Sequence, residues 1–326
     1  MYGLLFISAF VIILIIITRP LIKIRNTRST SGKLPDPHNP EITHNLHRHV
    51  EKLCNEIGSR SVYEYEKIVK AKQYLEFCLL KLDIPYVLQE VTFKDKTFSN
   101  IIVTIHGKSR TPETIVIGAH YDTVFNTPGA DDNASAVSVL LEMCRVLKGY
   151  SPGKTIKLVF FTLEEPPAFN TEYMGSYVFA KDAKKRNEKI YLMIALEMLG
   201  YYSEDKKRQE YPLPLMRFFY PTTPNFVLVV GNLISKHMVK LTGDKLTKAC
   251  DFRVETLTVP HFFPGVRLSD NASFWKMGFK AIMITDTAFY RNPNYHSPQD
   301  TIDTLDFDRM TSLCKGLVEA AKELSQ

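Results

Sequence analysis

The chain has 326 residues, of which 45% are hydrophobic and 23% are charged, and these fractions exclude a largely disordered protein. The net charge is +6, but residues 1–35 hold five cations and no acid, so the remainder is near neutral. A near-neutral body lacks the basic surface of a nucleic-acid-binding protein, and we expect no nucleic-acid partner. The five cysteines form no CxxC pair and are expected to be buried small side chains rather than a disulfide framework.

An uncharged segment stands at the N-terminus, where residues 2–18 read YGLLFISAFVIILIIIT. At ~1.5 Å per residue such a helix is ~25 Å long, near the lower limit for crossing a bilayer. No small-residue cleavage site follows, so residues 1–25 predict a single-pass membrane anchor, with a cleaved signal segment as the alternative. The cations after the segment favour a cytoplasmic body, whereas exported enzymes of this size often carry such anchors. The side of the membrane stays open, with the extracytoplasmic side preferred.

A polar linker interrupted by prolines is predicted over residues 26–43, followed by one folded domain over residues 44–326. Apolar spacing in that domain predicts the following elements: helices at about 44–57, 63–82, 135–148 and 308–324, and strands at 86–91, 101–105, 115–117, 157–162, 191–196, 225–230 and 281–284. Alternating strands and helices predict an α/β fold with a central mixed, mostly parallel twisted sheet covered by helices on both faces.

Residues capable of binding metal follow the predicted strands, and ligands of open α/β sheets bind beyond the carboxyl ends of strands. The first strand of this kind leads to His120 and Asp122. A histidine that binds metal through one ring nitrogen needs the other held by a carboxylate or carbonyl, which Asp122 could supply. Alone, such a pair is more often a surface histidine beside an acid. Asp131 and Asp132 precede a predicted helix; they could cap it, but one helix needs fewer caps, and a carboxylate here could bridge two metals.

Three further strand ends carry candidate groups. Glu164 and Glu165 precede two prolines, which disfavour a solvated helical surface. One could bind metal while the other takes a proton from a metal-bound water. Glu197 lies between apolar residues, where a lone carboxylate is costly to bury unless it is paired. With His296 in a loop after the last strand, the set offers nitrogen and oxygen ligands that suit Zn²⁺, and two ions sharing a carboxylate are a known hydrolytic device.

Five motifs in the same order and spacing resemble those of the M28 zinc peptidases, a family that includes bacterial aminopeptidases, glutamate carboxypeptidases and glutaminyl cyclases. The motifs are GAHYDTV, PGADDNAS, EE followed by GS, LEMLG and YHSPQDT. The resemblance covers roughly residues 44–326. It implies a zinc exopeptidase domain there, with the α/β fold of that family.

The resemblance also implies a role for each matching residue. His120 would bind one of two zinc ions per chain, Asp122 would orient it, and Asp132 would bridge both ions. The family often has a non-proline cis peptide after this bridging aspartate, which we expect between Asp132 and Asn133.

Glu165 and His296 would complete one zinc site, and Glu197 would complete the other. Glu164 would be the general base, and Tyr295 would help to stabilise the tetrahedral oxyanion.

The sequence departs from the family pattern at three places. Glu197 stands where many members have Asp, though some have Glu, and Asn271 stands where many have His. The segment after Glu165, PPAFNTEYMGS, is longer and more apolar than usual. Loops of this kind vary with specificity, so the substrate side chain stays open.

These features favour a metallopeptidase, best matched by an aminopeptidase that hydrolyses peptides with a water activated by two zinc ions. A glutaminyl-peptide cyclase, which generally uses one zinc, and a non-catalytic binding domain of the same fold are the alternatives. The oligomeric state stays open.

Overall fold

A computed structural model describes residues 39–109 and 113–326. The predicted anchor at residues 1–25 lies outside these residues. Within the described part of the chain, no helix is both long and apolar enough to cross a bilayer.

One eight-stranded sheet forms the centre of the molecule, in the order β1-β2-β4-β3-β5-β8-β6-β7. The strands β3, β4, β5 and β8 are parallel neighbours, whereas β1, β2 and the β6–β7 pair join them through antiparallel contacts. The sheet is therefore mixed, and four of its seven pairings are parallel, as predicted. The strands are β1 Tyr86–Phe93, β2 Lys96–Ile105, β3 Thr114–His120, β4 Thr155–Phe161, β5 Ile190–Glu197, β6 Phe226–Asn232, β7 Arg253–Val259 and β8 Ala281–Thr285.

Helices cover both faces of this sheet. The α-helices are α1 Pro40–Glu51, α2 Tyr65–Lys81, α3 Ala136–Val146, α4 Gly175–Lys185, α5 Lys236–Ala249, α6 Asn271–Lys276 and α7 Phe307–Leu324. Helices α1, α2, α3, α5 and α7 pack on one face, and α4 and α6 pack on the other. Successive residues of a central strand alternate between the two cores, as Ile115 and Val116 do. This architecture confirms the predicted fold class.

Residues 26–38 of the predicted linker also lie outside the described part of the chain, and the first helix begins at Pro40, inside the range predicted as linker. Asn39 caps this helix, because its side-chain oxygen accepts the backbone N–H of Ile42 at 3.2 Å. Pro40 then occupies the first helical turn, where a proline costs no hydrogen bond. The helical path continues to Ile57 as a π-helical turn, Lys52–Ile57.

Four elements have no counterpart in the sequence predictions: α4, α5, α6 and β7. The buried stripe of α5 includes Thr242 and Gly243, which weakens its apolar periodicity. The strand β7 lies at the edge of the sheet, so polar residues alternate along it. The predicted cysteine environment is confirmed, since all five thiols are free and four are buried.

The parallel strands place the candidate groups at one edge of the sheet. His120 is the last residue of β3, and Glu197 is the last residue of β5. Glu164 and Glu165 follow β4 by a few residues, and the loop after β8 leads to His296. Because the carboxyl ends of parallel strands share an edge, residues distant in sequence meet there.

Candidate metal centre and active site

His120 is held in place by Asp122, but through the main chain. Nδ1 of the buried His120 ring lies 3.1 Å from the backbone carbonyl oxygen of Asp122. The carboxylate of Asp122 lies farther from the ring, with Oδ1 3.6 Å from Nδ1, and it accepts the backbone N–H groups of Glu164 and Glu165, at 3.1 and 3.0 Å. Asp122 therefore orients the histidine with one group and the two glutamates with another, and it leaves Nε2 of His120 facing the carboxylates.

Asp132 lies between the two histidines. Its Oδ1 is 3.4 Å from Nε2 of His120, and its Oδ2 is 3.1 Å from Nε2 of His296. The backbone N–H groups of Asp131 and Asp132 donate to the two carboxylate oxygens of Asp300, at 2.9 and 3.1 Å. The two oxygens of Asp132 thus face two separate groups of ligands, as a bridging carboxylate requires.

The loop that carries Asp132 is fixed on both sides. The peptide bond between Asp132 and Asn133 is cis, as the resemblance implied. The Asn133 side chain donates to the carbonyl of Leu196 and accepts the N–H of Met198, both at 3.0 Å, so it ties the loop to the end of β5. On the other side, the fully buried guanidinium of Arg60 donates to the carbonyl oxygens of residues 128 and 129.

Asp131 has a different environment from Asp132. Its carboxylate accepts the backbone N–H of Gly200 and the side-chain amide of Asn292, each at 2.8 Å. Its oxygens are therefore occupied by the protein. The sequence left both aspartates open as candidates, and the geometry favours Asp132 as the ligand.

Glu197 completes a first cluster, which we call the sheet half of the centre: His120, Asp132 and Glu197. Oε2 of Glu197 lies 3.5 Å from Nε2 of His120, and one atom from each of the three residues fits within 4.8 Å of the others. Ser269 Oγ donates to the same Oε2 at 2.6 Å. This hydrogen bond fixes a side chain that is one methylene longer than aspartate.

Glu165 and His296 form a second cluster with Asp132, which we call the loop half. Oε1 of Glu165 lies 3.3 Å from Nε2 of His296. The His296 side chain is 30% exposed and its backbone φ is 54°, so it is presented by a turn rather than by a strand. The Tyr295 ring stacks on the His296 ring with 3.7 Å between centroids.

Glu164 lies beside both halves, because atoms of His120, Glu164 and Glu165 lie within 4.8 Å of one another and form a third group that could hold a metal. Its Oε2 is 3.9 Å from Nε2 of His120, and its buried Oε1 has no hydrogen-bond partner. Burial holds the pKa of Glu164 well above its ordinary value, opposed by His120 and reinforced by the charges of Glu165 and Glu197. The position and the raised pKa suit a proton acceptor.

The charges of the cluster need a cation. Oδ1 of Asp132 is buried without a hydrogen-bond partner, as is Oε1 of Glu164. Although burial opposes it, the carboxylates of Asp132 and Glu165 raise the pKa of His296 to about 10. Neighbouring carboxylates likewise hold the pKa of His120 well above its ordinary value against the effect of burial. In the metal-free protein, protons on the histidines supply the positive charge that metal ions would supply.

The donor set fits zinc. Each half offers one imidazole nitrogen and carboxylate oxygens, and zinc accepts such mixed ligands. Within the cluster, Asp132 and Glu164 each keep one buried carboxylate oxygen without a partner, and the buried Asp270 keeps two. Among the described residues, these groups are therefore matched to a metal rather than to protein donors.

An apolar cavity adjoins the centre. Glu197 and Tyr295 contribute to its wall on the side of the metal centre, and aromatic, proline and aliphatic side chains form most of the remainder. They include Tyr211, Met216, Tyr220, Phe226, Leu257 and Phe263. Such a cavity can hold an apolar group next to the reacting centre.

Four supporting residues were not found by sequence reasoning: Arg60, Asn133, Ser269 and Asp300. Asp300 lies in the quoted YHSPQDT motif, and Ser269 lies beside the departure at Asn271, so both had a sequence signal. Arg60 had none, because its role depends on a loop more than 60 residues away in the chain. The Asn271 amide donates to the carbonyl of Val266 at 2.9 Å and does not reach the metal ligands.

Comparison with known proteins identifies the family. The model of peptidase family M28 matches residues 100–320. The chain belongs to this family. It is therefore a metallopeptidase, a hydrolase that acts on peptide bonds, and the resemblance inferred from the sequence motifs is confirmed.

Two curated relatives are similar over most of this chain. The uncharacterized protein YfbL of Escherichia coli (strain K12) is 34% identical over 96% of this chain and 97% of its own length. Leucine aminopeptidase 1 of Phaeosphaeria nodorum is 27% identical over 70% of this chain and 56% of its own length. The first likeness extends along nearly the whole of both chains.

Solved structures share the fold at lower identity. LapB of Legionella pneumophila has a TM-score of 0.67 at 21% identity, covering 93% of this chain and 84% of its own. The zinc aminopeptidase BSAP of Bacillus subtilis has a TM-score of 0.65 at 16% identity, covering 87% and 95%. A glutaminyl cyclase of Bacteroides thetaiotaomicron has a TM-score of 0.63 at 17% identity, covering 88% and 98%. These likenesses establish the fold and leave open which activity the chain carries.

Proposed function

We propose that this chain is a zinc-dependent aminopeptidase with two zinc ions that share Asp132. The observation that carries the proposal is the position of Asp132, whose two oxygens face two different histidines at 3.4 and 3.1 Å. His120 and Glu197 would hold one ion, and Glu165 and His296 would hold the other. When bound, the pair of ions would lower the pKa of a shared water and polarise the peptide carbonyl.

Glu164 would act as the general base. Its carboxylate lies beside both halves, and burial raises its pKa, which makes the carboxylate a stronger base. It would accept a proton from the attacking water as the new carbon–oxygen bond forms. It would then return this proton to the amine nitrogen as the peptide bond breaks.

Tyr295 would donate a hydrogen bond to the oxyanion. Burial and the surrounding carboxylates raise the pKa of this phenol, so the hydroxyl keeps its proton and remains a donor. The ring is held by its stacking on His296.

The charges around the site favour recognition of the amino terminus of a peptide. The apolar cavity begins at Glu197, so an apolar side chain in it would place the adjoining backbone beside the carboxylates. A free α-amino group is positively charged and would be stabilised by a carboxylate that binds neither ion, such as Glu164, whereas a free carboxylate would be repelled by it. The names of the leucine aminopeptidase relatives support the same choice.

The general base can be tested by replacing Glu164 with Gln in the full chain. We expect kcat to fall by ~10²–10⁴-fold, because the amide cannot accept the proton, while the zinc content stays the same. Glu172→Gln is the matched control, since Glu172 follows in the same loop and its side chain is 60% exposed. Near-normal turnover by the Glu164→Gln variant would contradict the assignment.

The substrate class can be tested with amino-acid anilides, N-blocked peptides and a peptide with N-terminal Gln. We expect hydrolysis of free-amine substrates with apolar first residues and none of blocked ones. Formation of pyroglutamate with one zinc per chain would support a glutaminyl cyclase instead. Absence of both bound zinc and turnover would support a binding domain.

We also propose that residues 1–25 anchor the chain to a membrane as a single span, with the catalytic domain on the extracytoplasmic side. The support is the uncharged sequence of residues 2–18. Retention of the full chain in the membrane fraction after alkaline carbonate washing is expected. Protease accessibility of the domain from outside the cell tests its side, and protection there would contradict it.

A further inference from the structure

An exposed apolar surface lies at the edge of the sheet opposite the metal centre. The strand β6 is antiparallel to β8, and β7 is parallel to β6. The carboxyl ends of β6 and β7 therefore lie where β8 begins, whereas the metal centre lies where β8 ends. Leu233 and Ile234 directly follow β6, and Phe262 follows β7; these residues are 60%, 75% and 73% exposed.

These side chains belong to one surface rather than to scattered positions. They share a groove of about 480 Å³ with the half-buried Trp275 and the cations Arg267 and Lys276. We call these six residues the end patch. Single exposed apolar residues are ordinary on soluble proteins, but several lining one groove indicate an interaction surface.

The charged residues of the end patch are all cationic. Its groove is lined by Arg267 and Lys276 and by no acidic residue. The ammonium of Lys276 donates to the neutral side chain and carbonyl of Asn170 rather than to a carboxylate. Among the described residues, neither cation lies within ion-pair distance of an acid, in contrast to Lys67 and Lys72 of helix α2, which pair with glutamates. The end patch is therefore complementary to a surface that is both apolar and anionic.

We propose that the end patch docks on a lipid bilayer that contains anionic phospholipids. Ile234 and Phe262 would enter the boundary between head groups and acyl chains, and the two cations would meet lipid phosphates. A bilayer is favoured over a protein partner because the uncharged segment at residues 2–18 and its following cations suit the same anionic bilayer. Docking of this kind goes beyond the peptidase function and leaves the metal centre facing the water.

The single tryptophan of the chain is a built-in reporter, since Trp275 lies in the end patch. The full chain is reconstituted with vesicles of phosphatidylcholine alone, or mixed with phosphatidylglycerol, that carry a bromine- or spin-labelled quencher on the acyl chains. We expect at least about twofold stronger quenching of Trp275 in the phosphatidylglycerol vesicles, reduced by high salt because the cation–phosphate attraction is screened.

The variant that tests the end patch is Ile234→Ser with Phe262→Ser. We expect it to lose the extra quenching while peptidase activity and thermal stability stay the same, because both side chains are largely exposed. The matched control is Leu80→Ser with Val87→Ser, which removes two side chains that are each 65% exposed on the opposite flank of the sheet. Trp275 of this control should be quenched as strongly as Trp275 of the unchanged chain.

Three results would overturn the proposal. The first is equal quenching in both kinds of vesicle, and the second is quenching that persists in the Ile234→Ser, Phe262→Ser variant. The third is a lack of quenching together with a dimer that this variant dissociates, which would make a second copy of the chain the occupant.

Discussion

The two halves of the metal centre use the same ligand types but are built differently. In the sheet half, His120 and Glu197 are the last residues of two strands, and both are buried. In the loop half, His296 lies on a turn and its side chain is 30% exposed. The ligands of the sheet half also have supporting hydrogen bonds, from the carbonyl of Asp122 and from Ser269. One ion would therefore have a preorganised site, whereas the other would depend on a loop.

The largest effect is expected from Asp132→Asn, because this change affects both halves at once. The amide cannot provide two anionic oxygens, so we expect loss of both zinc ions and a fall in kcat/KM of more than ~10³-fold. Zinc content by metal analysis and turnover of an amino-acid anilide are the measurements. Asp303→Asn, at an exposed position, is the control. A variant that keeps both ions would show that the two halves do not share this carboxylate.

The next largest difference is expected between His120→Ala and His296→Ala. Removing His120 leaves a cavity among unpaired buried carboxylates, so the melting temperature should fall further than it does for His296→Ala. Removing His296 should weaken the binding of one zinc ion and leave the other ion in place. Chelator titration of the unchanged chain should release zinc in two steps, and His296→Ala should lack the step that occurs at the lower chelator concentration. Release of both ions in a single step from the unchanged chain would show that the two halves bind zinc equally tightly.

A smaller effect is expected from pH in the zinc-free protein. The pKa of His296 is raised to about 10, so its contribution to stability is complete below pH of about 6.5 and is lost as the pH rises through about 10. The melting temperature of the zinc-free protein should therefore fall over that range. His296→Gln should flatten the decline, and His237→Gln, at an exposed site, should not. A melting temperature that rises with pH in the zinc-free protein would contradict the expected direction of this effect.

The smallest effect is expected from Ser269→Ala. The change removes the 2.6 Å hydrogen bond to Glu197 and keeps every ligand. Loss of such a supporting group typically costs 10–100-fold in metal affinity, and we expect about tenfold, confined to the more tightly held zinc. Isothermal titration with zinc measures both sites separately. An equal loss at both sites would mean that Ser269 acts through the fold as a whole rather than through Glu197.

The sequence predicts the ligand set because the fold brings strand ends together. Residues such as His120 and Glu197 follow continuous apolar runs, and the parallel arrangement places those ends side by side. The supporting contacts are harder to predict, since Ser269 meets Glu197 across 72 residues and Asp300 meets Asp132 across 168. No local sequence pattern predicts a contact between residues that are so far apart along the chain. In the same way, α5 was missed because its buried stripe contains Thr242 and Gly243, which read as polar or neutral.

One residue links the proposed base to the first ligand. Asp122 contacts His120 through its carbonyl and the Glu164–Glu165 backbone through its carboxylate. We therefore expect a thermal displacement of β3 to move the glutamates together with the histidine and to change their separation little. The distance on which proton transfer depends should then tolerate warming better than the position of the loop that carries His296.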